Sequence, residues 1–148
     1  MARRKSTAFA WPVVLKKAAE GGFVVNFPDF PEGFTQAETR EEALVEAADL
    51  LETMVANYMA EGWKIPSPSP ARGRPLVPLA PPAAAAVELY RAMCKAGINK
   101  TELARRIGLT PQKAGSLFDI RHPLALDQLA KAAAALGKRL VVALADAA

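Results

Sequence analysis

The chain has very little of what catalysis, metal binding and secretion draw on. Its 148 residues include one cysteine, Cys94, and one histidine, His122. A single thiol cannot close an internal disulfide, and no Cys/His cluster is available to hold zinc. Cys94 is expected to pack as a small apolar residue. One histidine with no serine or cysteine motif around it leaves a triad or general-base role without its other members. His122, beside Arg121, reads as a loop cap or a phosphate contact. Long apolar runs are also missing. Arg3-Arg4-Lys5 reads like the start of a signal peptide, but Pro12 and then Lys16-Lys17 interrupt the apolar stretch that follows, which is too short for secretion or a membrane span. These absences predict a cytoplasmic protein with no cofactor, no metal and no membrane contact.

What is present is unevenly spread. Residues 1–65 hold seven Lys/Arg against ten Asp/Glu, a net −3. Residues 66–82 add Arg72 and Arg74 with no acid, and residues 83–148 hold ten Lys/Arg against five Asp/Glu, a net +5. Only the second half suits a polyanion; the first is better matched to a basic protein partner. The composition and patterning predict an α+β chain in three parts: residues 1–65, a Pro-rich linker over 66–82, and residues 83–148.

In the first part, Phe9 to Lys17 alternates around Trp11, Val13 and Leu15 and reads as a strand. Gly21-Gly22 supplies a hairpin turn and Phe23 to Phe27 the return strand. Pro28 to Gly33 is rich in breakers and predicts a turn, followed by a short strand over 34–37. Thr39 and Glu42 have capping-box spacing. They open a helix predicted to end near Gly62, with Leu44, Ala47, Ala48, Leu51, Met54, Val55, Tyr58 and Met59 as its core stripe. Proline density keeps 66–75 extended, and 76–79 reads as an edge strand, where proline is tolerated.

The most informative stretch is Asn99 to Phe118. Leu103, Ala104 and Ile107 share one helical face. Gly108 suits a left-handed C-cap, Leu109 a plug between helices, Thr110 a cap, and Pro111 the first helical position. Ala114, Leu117 and Phe118 return inward. This is how a helix-turn-helix presents a helix to the DNA major groove. Gln112, Lys113 and Ser116, with Thr110 at the helix start, are the candidate groove-facing residues. Lys100, Thr101, Arg105 and Arg121 are candidate phosphate contacts. A helix over 83–95 precedes this pair, and Leu126, Leu129, Ala130, Ala133 and Leu136 predict another ending at Gly137. The closing run 138–145 is strand-like and apolar on both faces. Leu140, Val141, Val142, Ala143 and Leu144 have no partner strand in a helical domain, so pairing with a second copy is predicted. A homodimer or higher oligomer would read a two-fold operator.

The first half carries a further signal. Glu20 to Pro31 with its "FPDFP" turn, then Phe34-Thr35-Gln36, then Thr39-Arg40-Glu41-Glu42-Ala43-Leu44 resembles the HicB antitoxin family. The second half resembles the subclass carrying a Cro/C1-like helix-turn-helix, and Ala134 to Leu140 matches it as well. Ala37 departs from the family, which often has glycine there. The resemblance implies a partly degraded RNase H-like β-β-β-α-β domain. It also implies an antitoxin that neutralises a HicA-type mRNA-cleaving toxin and represses its own operon at operator DNA. Phe27, Pro28, Asp29, Phe30, Pro31 and Phe34 become the candidate toxin-facing residues. A stand-alone HicB-like regulator without a toxin is the alternative.

An RNase H-like fold also invites a nuclease reading, which requires carboxylates converging on two metals. The predicted first strand has none. Asp29 and Glu32 sit in a turn, and Glu41, Glu46, Asp49 and Glu52 lie on an outward helix face, so no enzyme is predicted.

Overall fold

The computed structural model describes residues 9–146. The chain is a mixed α+β protein made of two compact units. One takes residues 9–57, 66–79 and 145–146; the other takes Tyr58–Ile65 and Ala80–Leu144.

In the first unit the predicted opening strand is broken in two, β1 (Ala10–Pro12) and β2 (Val14–Lys17). Pro12 has no N–H to continue a ladder, and the Val13 N–H turns instead to the Pro75 carbonyl at 3.0 Å. The halves take different partners. β1 pairs antiparallel with β5 (Leu76–Pro78), setting Trp11 opposite Val77. β2 pairs with β3 (Phe23–Phe27), which pairs with β4 (Phe30–Ala37). The predicted six-residue turn before a short strand is corrected here. Only Pro28 and Asp29 turn, and β4 begins at Phe30. The register jumps from Asn26 opposite Phe34 to Phe27 opposite Phe30, an irregularity that accommodates Pro31, which has no N–H to donate.

Helix α1 (Arg40–Glu61) starts where expected. The Glu42 N–H donates to Thr39 Oγ1 at 3.1 Å, and the Glu42 carboxylate accepts from the Glu38 N–H at 3.2 Å, one residue earlier than in the usual box. The buried stripe is Ala43, Ala47, Leu51, Met54, Val55, Tyr58 and Met59. Leu44, predicted to be core, is exposed, because an inward Ala43 turns its neighbour about 100° away. Gly33 on β4 lets the helix come close: a Cβ there would stand 2.7 Å from Met54 Sδ.

Residues 66–75 are not a free linker. Trp11 Nε1 donates to the Pro66 carbonyl at 3.1 Å. Ser69 donates from both its N–H and its hydroxyl to Asp29 Oδ2 at 3.1 and 3.0 Å. Proline density holds the segment extended, and these bonds fasten it to the unit.

The second unit contains α2 (Pro81–Lys95), α3 (Lys100–Arg106), α4 (Pro111–Ala114) and α5 (Leu126–Ala135). Pro81 and Pro82, expected ahead of the helix, form its first turn, where a missing N–H costs nothing. Val87, Tyr90, Met93, Leu103, Ala104, Ile107, Ala114, Leu117, Phe118, Leu129 and Ala132 are buried. Tyr90 meets Phe118 edge-on at 5.5 Å and donates its hydroxyl to the Trp63 carbonyl at 2.8 Å. Burial first, then the neighbouring Cys94, pushes the Tyr90 phenol up to about 12. Cys94 is exposed rather than packed, since the inward face of α2 at this level is taken by Tyr90 and Met93. On α5, Leu129 and Ala132 face in while Leu126 is exposed. Residues 138–146 form neither helix nor strand, and Val141, Val142 and Leu144 stand exposed. The strand predicted there lacks a pairing segment among the described residues, and a strand exists only by pairing.

Candidate functional site

The α3–α4 pair is built by local rules. The Asn99 side chain accepts the Glu102 N–H at 2.9 Å and starts α3. Gly108, at φ +77, takes the left-handed conformation that ends it. The Leu109 N–H returns to the Ala104 carbonyl at 2.8 Å. Thr110 then caps α4, accepting the Lys113 N–H at 3.4 Å, with Pro111 at the first helical position. α4 is a single turn, and the chain continues as turns through Phe118. Leu103, Ala104, Ile107, Ala114 and Leu117 hold the two helices together from within.

That packing leaves the predicted DNA-facing residues outside. Thr110, Gln112, Lys113 and Ser116 are all exposed. The Ser116 hydroxyl donates back to the Lys113 carbonyl at 3.0 Å, which leaves its oxygen able to accept. Thr101, Arg105 and Arg121 are exposed, and Lys100 is half-buried. Arg105 is engaged within the protein. Its Nε and Nη2 donate to the two oxygens of Glu102 at 2.9 and 2.7 Å. Arg106 Nε adds a third bond to Glu102 at 3.0 Å, and its Nη1 donates to the Ala135 carbonyl at the end of α5 at 3.3 Å. These two guanidinium groups hold the Glu102 carboxyl at about 2. In the loop after α4, Asp119 accepts the Arg121 N–H at 2.9 Å and lies 3.2 Å from His122 Nδ1. The Arg121 N–H, then His122, hold the Asp119 carboxyl below the usual range. His122 is thus a partner of Asp119.

The sequence reading missed Asn99 as a cap and Glu102 as the hub of an ion-pair network. Both leave a signal in the sequence: Asn-x-x-Glu is a helix-start spacing, and Glu102 stands three and four residues before its arginines.

The first unit treats its candidate residues differently. Phe27 and Phe30 are fully buried, their rings 6.4 Å apart and nearly perpendicular, with Trp11 tilted against Phe30 at 5.7 Å. They build the hairpin from inside and present nothing to a partner. Asp29 is half-buried and occupied by Ser69. Pro28, Pro31 and Phe34 are at the surface, and Phe34 is 67% exposed on β4.

Among the described residues, no group of three His, Cys, Asp or Glu could hold a metal ion, and no helix is long and apolar enough to cross a membrane.

Residues 10–81 match the family described as the HicB-like antitoxin of bacterial toxin–antitoxin systems. The chain is 38% identical over 134 residues to Antitoxin HicB 1 of Photorhabdus laumondii, covering 90% of this chain and 86% of that protein. It is 41% identical over 133 residues to Antitoxin HicB of Escherichia coli, covering 88% and 95%. Antitoxin HicB 2 of P. laumondii is 39% identical over 121 residues, covering 82% and 86%. Likeness of this extent takes in both units, and the chain belongs to the HicB family of toxin–antitoxin antitoxins.

Proposed function

We propose that the chain neutralises a HicA-type mRNA-cleaving toxin through its first unit and represses its own operon through its second. The first unit, read as a partly degraded RNase H-like domain, takes the toxin on the side of the β3–β4 hairpin that carries Pro28, Pro31 and Phe34. The excess of acidic residues in 1–65 favours a basic partner and speeds encounter.

The observation that carries the DNA half is the exposed polar face of α4 and the turn after it on an apolar mount. Gln112, Lys113 and Ser116 lie outward over Ala114 and Leu117, the disposition a groove-reading helix requires. Lys100, Thr101, Arg105 and Arg121 are assigned to phosphates. The second copy joins through residues 140–144, whose apolar side chains gain cover by pairing. Nothing in this reading calls for catalysis, a metal or a cofactor.

Two experiments test it. Co-expression with the small basic product of the adjoining reading frame is expected to yield a co-purifying complex and to restore growth; toxicity that persists at full expression contradicts the first half. A duplex carrying the upstream sequence is expected to shift with the purified protein. Three basic contacts per protomer, Lys100, Arg105 and Arg121, in a dimer give a log–log salt slope on the order of −5, and a nearly flat salt dependence contradicts the second half. Duplex binding without neutralisation would leave a stand-alone regulator.

A further inference from the structure

We propose that Glu102 is a built-in counter-charge that withholds Arg105 from duplex phosphates and so restrains sequence-independent binding along α3. The inference rests on the DNA-binding reading above and refines it. Of the residues assigned to phosphates, Arg105 is the one whose guanidinium is already gripped by a carboxylate. Glu102 takes the Nε and Nη2 edge of Arg105 at 2.9 and 2.7 Å. This is a two-pronged edge with which arginine grips a phosphate, so a phosphate must compete with Glu102 for it.

The carboxylate is also fixed in place. Arg106 bonds it at 3.0 Å while its other nitrogen is anchored on the Ala135 carbonyl at the end of α5. Glu102 therefore cannot swing aside without releasing a second arginine. It stays ionised at neutral pH, since both guanidinium groups favour its charged form. The Arg105 side chain is 72% exposed, so a phosphate can reach it and compete. Exposed pairs of this kind are weak, which sets the expected effect at several-fold rather than all or none. A specific complex that holds a phosphate at this spot can outcompete Glu102, whereas a loosely held random duplex does so less well.

The test uses the full chain and a random-sequence duplex, titrated at several salt concentrations. Glu102→Gln is expected to raise affinity at low salt several-fold and to steepen the log–log slope by about 0.9 per protomer, one phosphate contact. Glu102→Asp, which keeps the charge, is expected to stay nearer the native slope. Adding Arg105→Gln to Glu102→Gln is expected to return the slope to the native value. An unchanged slope in folded Glu102→Gln overturns the proposal and leaves the DNA reading standing. If neither protein binds duplex, the DNA reading falls and takes the proposal with it. Should Glu102→Gln not fold, Arg105→Gln alone decides: a loss under about two-fold in affinity supports the withheld state, and a slope shallower by a full contact overturns it.

Discussion

The two units put their candidate interfaces to opposite structural uses. In the first, the most conspicuous residues of the motif, Phe27 and Phe30, are the core itself. In the second, the fold is made by Leu103, Ala104, Ile107 and Ala114, and the candidate contacts Gln112 and Lys113 carry no packing. A motif that folds a domain and a motif that faces a partner look alike in a sequence. They separate only when burial is known, and the difference sets what mutation is expected to do: at Phe27 or Phe30 a change should cost stability, whereas at Gln112 or Lys113 it should cost binding alone.

The largest expected effect breaks the first unit. Phe30→Ala should lower stability by about 3–5 kcal/mol, the usual cost of emptying an aromatic site in a packed core, measured by denaturant titration. Phe34→Ala, on the same strand but exposed, should stay within about 0.5 kcal/mol while weakening the toxin complex in a binding titration. Equal stability losses for the two would erase the contrast. Next is the strap over the first unit. Asp29→Ala removes the acceptor of both Ser69 bonds and should cost about 1–3 kcal/mol, with Ser69→Ala losing less because the backbone N–H remains. In the second unit, Asn99→Ala should cost about 1 kcal/mol by removing the α3 cap, read from thermal unfolding.

The remaining effects are in pH. The Tyr90 phenol is raised to about 12 from 10, so the folded state holds its proton more tightly than the unfolded chain does. That contribution is intact below pH 10 and is lost as pH rises from 10 towards 12, visible as late tyrosinate absorbance. Glu102 runs the other way. Its carboxyl is lowered from 4.5 to about 2, so its contribution is present above 4.5 and fades as pH falls towards 2. Solvent screening keeps it slight.

Much of the second unit was legible in the sequence because its signals are local. A cap at Thr110, a proline at 111 and a left-handed Gly108 depend on neighbours a few residues away. The first unit was less legible where distant residues decide. Nothing near Val13 announces that its N–H bonds Pro75. Nothing near Ser69 announces Asp29, so a segment that composition marks as linker became a strap. The inward turn of Ala43 in place of Leu44 follows from where α1 is capped and which face the sheet receives. The hydrophobicity of either residue does not predict it. Cys94 failed for a related reason: an apolar residue beside a stripe is still off the stripe. At the candidate sites, the outward residues of α4 were readable from helical spacing, whereas the engagement of Arg105 by Glu102 is a choice among rotamers that spacing permits without requiring.

The division of labour between the units is tested most directly by Lys113→Glu in the full-length chain. A point change is cleaner than removing residues 83–148, because truncation would also take away Tyr90 and Arg91, which bond the carbonyls of Trp63 and Ile65. The variant, co-expressed with the toxin and also titrated against the operator duplex, is expected to restore growth fully and to lose the duplex shift. Loss of growth rescue together with the shift, or retention of the shift, would contradict the assignment of toxin to one unit and DNA to the other.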